Sequence, residues 1–201
     1  MLHRFVFVIL PCWALTVKLT HVGMVRKEKA DDGLSFKETY VKQSLQELRF
    51  PDIDRERLRN VEDILEIQYL GENNETPSFP VSGKMCMTNA RLMVNLLCRR
   101  QMKNGTYGPQ INIIFLIHTG IPLTYLSKEA MKALIADPGA SIPKSLMVKI
   151  HDHTVITCYV PPEDWHFGNV NVLGMDYIVS RQLSIHIYPE ILTVDLIPTG
   201  V

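Results

Sequence analysis

The chain has no surplus of either charge, since 21 Lys and Arg stand against 21 Asp and Glu among 201 residues. A balanced surface gives no electrostatic reason to expect nucleic acid or an acidic surface as partner. Cysteine is scarce: Cys12, Cys86, Cys98 and Cys158 show no CxxC spacing and no zinc signature. With Cys12 inside an apolar run, three are left, an awkward number for a disulfide framework. Buried or free thiols are expected, which suits a reducing compartment. No glycine-rich phosphate loop and no internal repeat occur, and no cofactor is expected. Ser127, Ser141 and Ser145 lack a nucleophile-elbow context.

Long apolar runs are short in supply as well. Residues 1–17, MLHRFVFVILPCWALTV, have the length of a signal-peptide core and fall short of the ~20 residues that span a bilayer. Lys18, Arg26, Lys27 and Lys29 follow the run, which would hold that side in the cytoplasm. Residues 1–23 therefore read either as a signal or anchor or as a segment without targeting meaning. A membrane enters only through them, and cytoplasmic and membrane-associated or secreted locations both stay open. The triplets at Asn74 and Asn104 fit N-glycosylation only if the chain is secreted.

Residues 24–80 change character. Ser35 and Glu38 have capping-box spacing before Tyr40, Val41, Leu45 and Leu48, and Pro51 ends that helix. Asp52 or Asp54 caps a second, with Leu58, Val61, Ile64, Leu65 and Ile67 on one face and Gly71 as its stop. Residues 72–80 form a polar linker.

From residue 81 to 201 the pattern is that of short strands. Residues 90–98 and 111–117 flank an Asn104-Gly105 turn, a strong hairpin signal. Ser127 caps a short helix to Ile135, and 136–144 is a loop. Residues 146–150 and 154–160 form a second hairpin about His151-Asp152-His153, with solvated imidazoles. His151 and His153 alternate onto one face, as some metal sites require, but no third ligand is assignable and no metal is expected. Residues 170–178, 183–187 and 191–196 complete a mainly β domain, in which Cys158 is core and His166 and His186 serve packing or partner backbone groups.

The organising stretch is INIIFLIHTGIPLTYL, residues 111–126, echoed by NVNVLGMDYI at 169–178. A buried strand ends in the polar turn His118-Thr119-Gly120, and a second short apolar run, 123–126, leads into the helix. Polar atoms set into a core are costly unless hydrogen-bonded, so the turn needs a function or a bonding network behind it.

Strand, x-Thr-Gly, apolar strand and helix, followed some fifty residues later by Val172-Leu173-Gly174-Met175-Asp176, resembles the retropepsin-like aspartic proteases. That family carries Asp-Thr-Gly or Asp-Ser-Gly at the loop and a hydrophobic-hydrophobic-Gly-x-Asp/Asn segment downstream. The resemblance covers residues 82–201 and implies a closed β-barrel whose two copies each supply one loop. The catalytic place falls on His118 with Thr119 and Gly120, and loop or groove support on Ile121, Leu173, Gly174 and Asp176. The family's chemistry needs two carboxylates sharing one proton, and His118 stands where the aspartate belongs. The separation between the helix and the next strand, 136–144, also leaves little room for a closing flap.

The resemblance therefore implies an inactive homologue acting as a homodimer or as a module for a peptide or protein ligand. The alternative is an active endopeptidase that uses His118 or another acid. Asp176 could be that acid, or a structural carboxylate bonded to backbone or to Arg181.

Overall fold

The computed structural model describes residues 53, 55–86, 89–137, 139–151, 154–163, 165 and 167–199. The apolar start at 1–23, the helix expected from Ser35, the N-terminal part of 24–80 and the residues His153 and His166 lie outside the described residues. Among those described, no helix is long and apolar enough to cross a membrane.

The fold is mainly β. After helix α1 (Arg55–Leu65) come strands β1 (Val81–Cys86), β2 (Arg91–Arg100) and β3 (Ile111–Ile117), then helix α2 (Lys128–Ile135). Strands β4 (Ser145–Ile150), β5 (Thr154–Tyr159) and β6 (Asn171–Leu173) follow, then helix α3 (Met175–Ser180) and strands β7 (Leu183–Tyr188) and β8 (Thr193–Pro198). The hairpin β2–β3 turns where Gly105 takes φ 81°, a conformation open to glycine at no steric cost. Strand β2 is the hub. One of its edges pairs with β1 through Arg91–Met93 and with β4 through Cys98–Arg100, and its other edge takes β3.

Strand β3 is buried at all seven positions because it is covered on both faces. Ile113, Phe115 and Ile117 join Leu126, Met131 and Leu134 of the α2 region and Tyr177 of α3 in one core cluster. Ile114 and Leu116 face the other way, onto Leu58 and Val61 of α1 and onto Phe167 and Val170. The periodicity of α1 therefore serves the sheet, with two differences. Ile64 points to solvent, 49% exposed, and the helix ends at Leu65, where Glu66 turns to φ 55° well short of Gly71.

The sheet is not closed into a barrel. Its hydrogen-bonded order runs β5-β4-β2-β1-β8-β7, with β3 and β6 attached to β2, and its two ends do not pair. Helix α3 packs against both β5 and β7, and the buried Tyr177 on it reaches the carbonyl of Ile150 at 3.4 Å. The two end strands are thus joined through a helix rather than by hydrogen bonds to each other.

Five further expectations change. The strand foreseen over 170–178 stops at Leu173 and becomes α3, and 123–126 is an extended segment with bridges at Tyr125 rather than a strand of its own. The linker is tied down: Gln110 donates from Nε2 to the carbonyls of Asn73 and Glu75 at 2.9 and 2.8 Å. His151 is buried rather than solvated, with Nε2 2.8 Å from the Ser78 carbonyl and its ring edge-on to Phe79. His186, expected to pack or partner backbone groups, is exposed and bonds Ser184.

Candidate functional site

Strands β3 and β6 run parallel, with Ile117 opposite Leu173, so the two sequence motifs leave the sheet side by side. The amide of His118 donates to the Leu173 carbonyl at 3.1 Å. The chain then turns back, with Ile121 N–H donating to the His118 carbonyl, and runs alongside residues 172–176. Tyr125 and Val172 exchange two backbone hydrogen bonds at 2.9 Å, while Met175 and Asp176 donate to the carbonyls of Ile121 and Pro122.

Gly174 sits where nothing larger fits, since a Cβ there would stand 2.2 Å from the Leu123 carbonyl oxygen. The amide of Gly174 donates to Thr124 Oγ1 at 3.1 Å, and Thr124 Oγ1 donates to Asp176 Oδ1 at 2.6 Å. Asp176 Oδ2 accepts from the Thr124 amide at 3.0 Å, and Oδ1 also accepts from Tyr177 N–H at 2.8 Å. Thr124 is fully buried. These bonds fasten the two motifs together and commit both carboxylate oxygens of Asp176.

A second lock stands behind the first. Asn171, fully buried, accepts from Ser127 N–H at 2.9 Å and donates to Tyr69 Oη at 2.8 Å and to the Ile114 carbonyl at 2.9 Å. Burial raises the Tyr69 phenol above its ordinary range. Ser127 in turn caps α2, accepting from Ala130 N–H at 3.2 Å.

The turn itself lies at the surface. Thr119 and Gly120 are exposed and His118 is half-buried; the buried polar side chains that serve this site are Thr124, Ser127 and Asn171. His118 Nδ1 accepts from the Gly120 amide at 3.1 Å, so in the neutral ring the proton sits on Nε2. Burial first, and the guanidinium of Arg91 second, push the imidazole below its ordinary value. Both favour the neutral ring, in which Nε2–H is the donor.

A row of rings extends from it. His118 meets Phe167 edge-on at 5.7 Å, Phe167 meets Trp165 at 5.9 Å, and Trp165 meets Tyr125 at 4.7 Å. Tyr159 lies 6.3 Å beyond Tyr125, and Arg91 stands over Phe167 at 5.5 Å. Ile121 packs against the same core cluster as Tyr125 and Trp165, and Leu123, two residues on, is 38% exposed.

The site therefore brings together His118, Thr119, Gly120, Ile121, Leu173, Gly174 and Asp176. Reading the sequence missed Thr124, Asn171 and the aromatic row. Thr124 carried a legible signal, the one small hydroxyl-bearing residue inside the run 121–126. Among the described residues, no group of three His, Cys, Asp or Glu could hold a metal ion. A cleft of about 240 Å³ opens elsewhere, lined by Leu58, Arg59, Glu62, Tyr69, Leu70 and Glu129. Compared with family models, curated proteins and solved structures, the chain matches none of them.

Proposed function

We propose that this chain is a retropepsin-like aspartic peptidase homologue in which His118 occupies the place of the catalytic aspartate, and that it acts as a dimerising, peptide-binding module rather than a hydrolase. The fold would be an open form of the family's barrel, with α3 seated where the sheet ends would otherwise meet.

The observation that carries the reading is the fastening of the His118 turn to the Val172–Asp176 segment through Thr124, Gly174 and Asp176. In the family the downstream Gly-x-Asp/Asn segment packs beside the catalytic loop, and here two stretches some fifty residues apart do so through specific side chains. Hydrolysis has little to draw on. Asp176 gives both oxygens to structural donors, and a neutral imidazole cannot hold water between two coplanar oxygens as paired carboxylates do. Binding has more: Tyr125, Tyr159 and Trp165, all partly exposed, with Ile121 and Leu123, offer apolar contact, and the His118 Nε2–H offers a donor.

The test is a peptide-library assay on the full chain and on His118→Asp, read for cleavage and for peptide-dependent quenching of Trp165 fluorescence. Binding by both chains, with inhibitor-sensitive cleavage only by His118→Asp, is the expected result. Inhibitor-sensitive cleavage by the unmodified chain would overturn the inactive reading, and absence of binding and cleavage in both would end the proposal.

A further inference from the structure

The cleft away from the His118 turn has walls made by the core itself. Leu58 of α1 is 3% exposed and shares a core cluster with Tyr69, while Leu70 packs on the other cluster. The cleft, about 240 Å³, therefore opens where the two clusters meet, between α1, residues 69 and 70, and the first turn of α2. Leu70 takes φ 60°, which a bulky side chain rarely adopts, and its amide donates to the Asn112 carbonyl at 2.9 Å. Tyr69 is fixed at both ends. Its amide donates to Glu62 Oε1 at 2.9 Å, and its phenol oxygen accepts from Asn171 at 2.8 Å. Such walls are formed before any ligand arrives, as those of small-molecule sites usually are.

The charged groups in the cleft are of both signs. Arg59 and Glu62 stand three residues apart on α1, a spacing that sets Cβ atoms about 5–6 Å apart on one helix face, and both line the cleft. Among the described residues they form no ion pair, with each other or with any third group. Glu62 commits Oε1 to the Tyr69 amide, and Oε2 has no donor among the described residues. Glu129, in the first turn of α2, brings a second carboxylate from a different element. After burial, the charges of Glu129 and Glu62 also raise the Tyr69 phenol, so both act on the same floor.

This set of groups selects among ligands. A plain amine would be repelled by Arg59, and a plain carboxylate would be repelled by Glu62 and Glu129. A zwitterion answers both signs, with its ammonium toward the two carboxylates and its carboxylate on the planar donor fork of the guanidinium. Leu58 and Leu70 then receive an apolar side chain.

We propose that this cleft binds a free α-amino acid with an aliphatic side chain, its ammonium held by Glu62 and Glu129 and its carboxylate by Arg59. The site stands apart from the peptide-binding reading, since none of its lining residues belongs to the His118 turn or the aromatic row.

The test is an NMR titration of the full chain, following backbone amide shifts, with L-leucine and with two analogues that each lack one charge. 4-Methylpentanoate has no ammonium, and 3-methylbutylamine has no carboxylate. The expected result is saturable binding of L-leucine and at least about tenfold weaker binding of either analogue, the size of one lost charge-assisted hydrogen bond. Arg59→Gln should weaken L-leucine about tenfold and leave 3-methylbutylamine no weaker, a split that a loss of folding could not produce. Glu129→Gln, a change at an exposed position, should weaken L-leucine and 3-methylbutylamine together. Binding of 3-methylbutylamine as tight as that of L-leucine would make the cleft a cation site and overturn the proposal. L-leucine binding indifferent to Arg59→Gln, or no shift at Leu58, Tyr69 or Leu70 up to about 10 mM L-leucine, would overturn it as well.

Discussion

Replacing Thr124 with valine removes one oxygen and keeps the shape, which makes it the sharpest probe of the fastening between the two motifs. The hydroxyl donates to Asp176 Oδ1 at 2.6 Å and accepts from Gly174 N–H at 3.1 Å. A hydrogen bond to a charged group contributes about 1.5–3 kcal/mol, and a buried donor left unpaired costs about 1–3 kcal/mol. These overlap, because Asp176 keeps the Thr124 and Tyr177 amides, so the expected loss is about 2–4 kcal/mol. For a domain of this size that corresponds to a fall in Tm of roughly 5–15 °C. Urea unfolding followed by circular dichroism, with Asp176→Asn and the double variant completing a cycle, reads the value. The two single changes should be non-additive by more than about 0.5 kcal/mol, as contacting residues are. A loss under about 0.5 kcal/mol, or strict additivity, would refute the view that Thr124 and Asp176 act as one unit.

Other outcomes follow from the same geometry. Gly174→Ala drives a Cβ against the Leu123 carbonyl, where only backbone can give way; a destabilisation of about 3 kcal/mol or more is expected in the same melts. Asn171→Ala strands the Ser127 amide and the Ile114 carbonyl and should cost about 2–4 kcal/mol by urea unfolding. His118 has its imidazole held below the ordinary value of 6.5, so the unfolded chain takes up that proton first and stability falls as pH drops through the ordinary histidine range. His118→Asn should flatten that part of the pH–stability curve, and an unchanged curve would count against the burial assigned to the ring. Burial also pushes the Cys98 and Cys158 thiols well up; alkylation mapped by mass spectrometry should reach them only on unfolding.

Much of the fold was legible, and the reasons differ by element. β3 declared itself because a strand covered on both faces needs a near-continuous apolar run, and Ile111–Ile117 is one, interrupted only by Asn112. The Asn104-Gly105 turn and the Ser127 cap were visible because each answers a local backbone requirement. The end of β6 was not, since the apolar pattern runs on through Tyr177 and Ile178; what stops the strand is the close packing of Gly174 on Leu123, a contact with a segment fifty residues away. The open sheet was hidden for the same kind of reason, because it turns on where α3 packs. At the site, the motif residues could be picked out one by one. The bonding that unites them could not, because the partners of Thr124 and Asn171 lie 44 to 102 residues away in sequence. The aromatic row was invisible because Tyr125, Tyr159, Trp165 and Phe167 come from three separate segments.

The division of β2 between two partners has a dynamic consequence. Its edge is held by β1 at Arg91–Met93 and by β4 at Cys98–Arg100, and between them His151 N–H donates to the Leu97 carbonyl. Opening there, together with the Tyr159 backbone bonds to Thr124 and Leu126, would release the β4–β5 hairpin while β1, β8 and β7 stay paired. Native-state exchange should then resolve two tiers: an earlier-opening hairpin carrying Tyr159, the last ring of the aromatic row, and a slower body built on β3 that yields only when the whole chain unfolds.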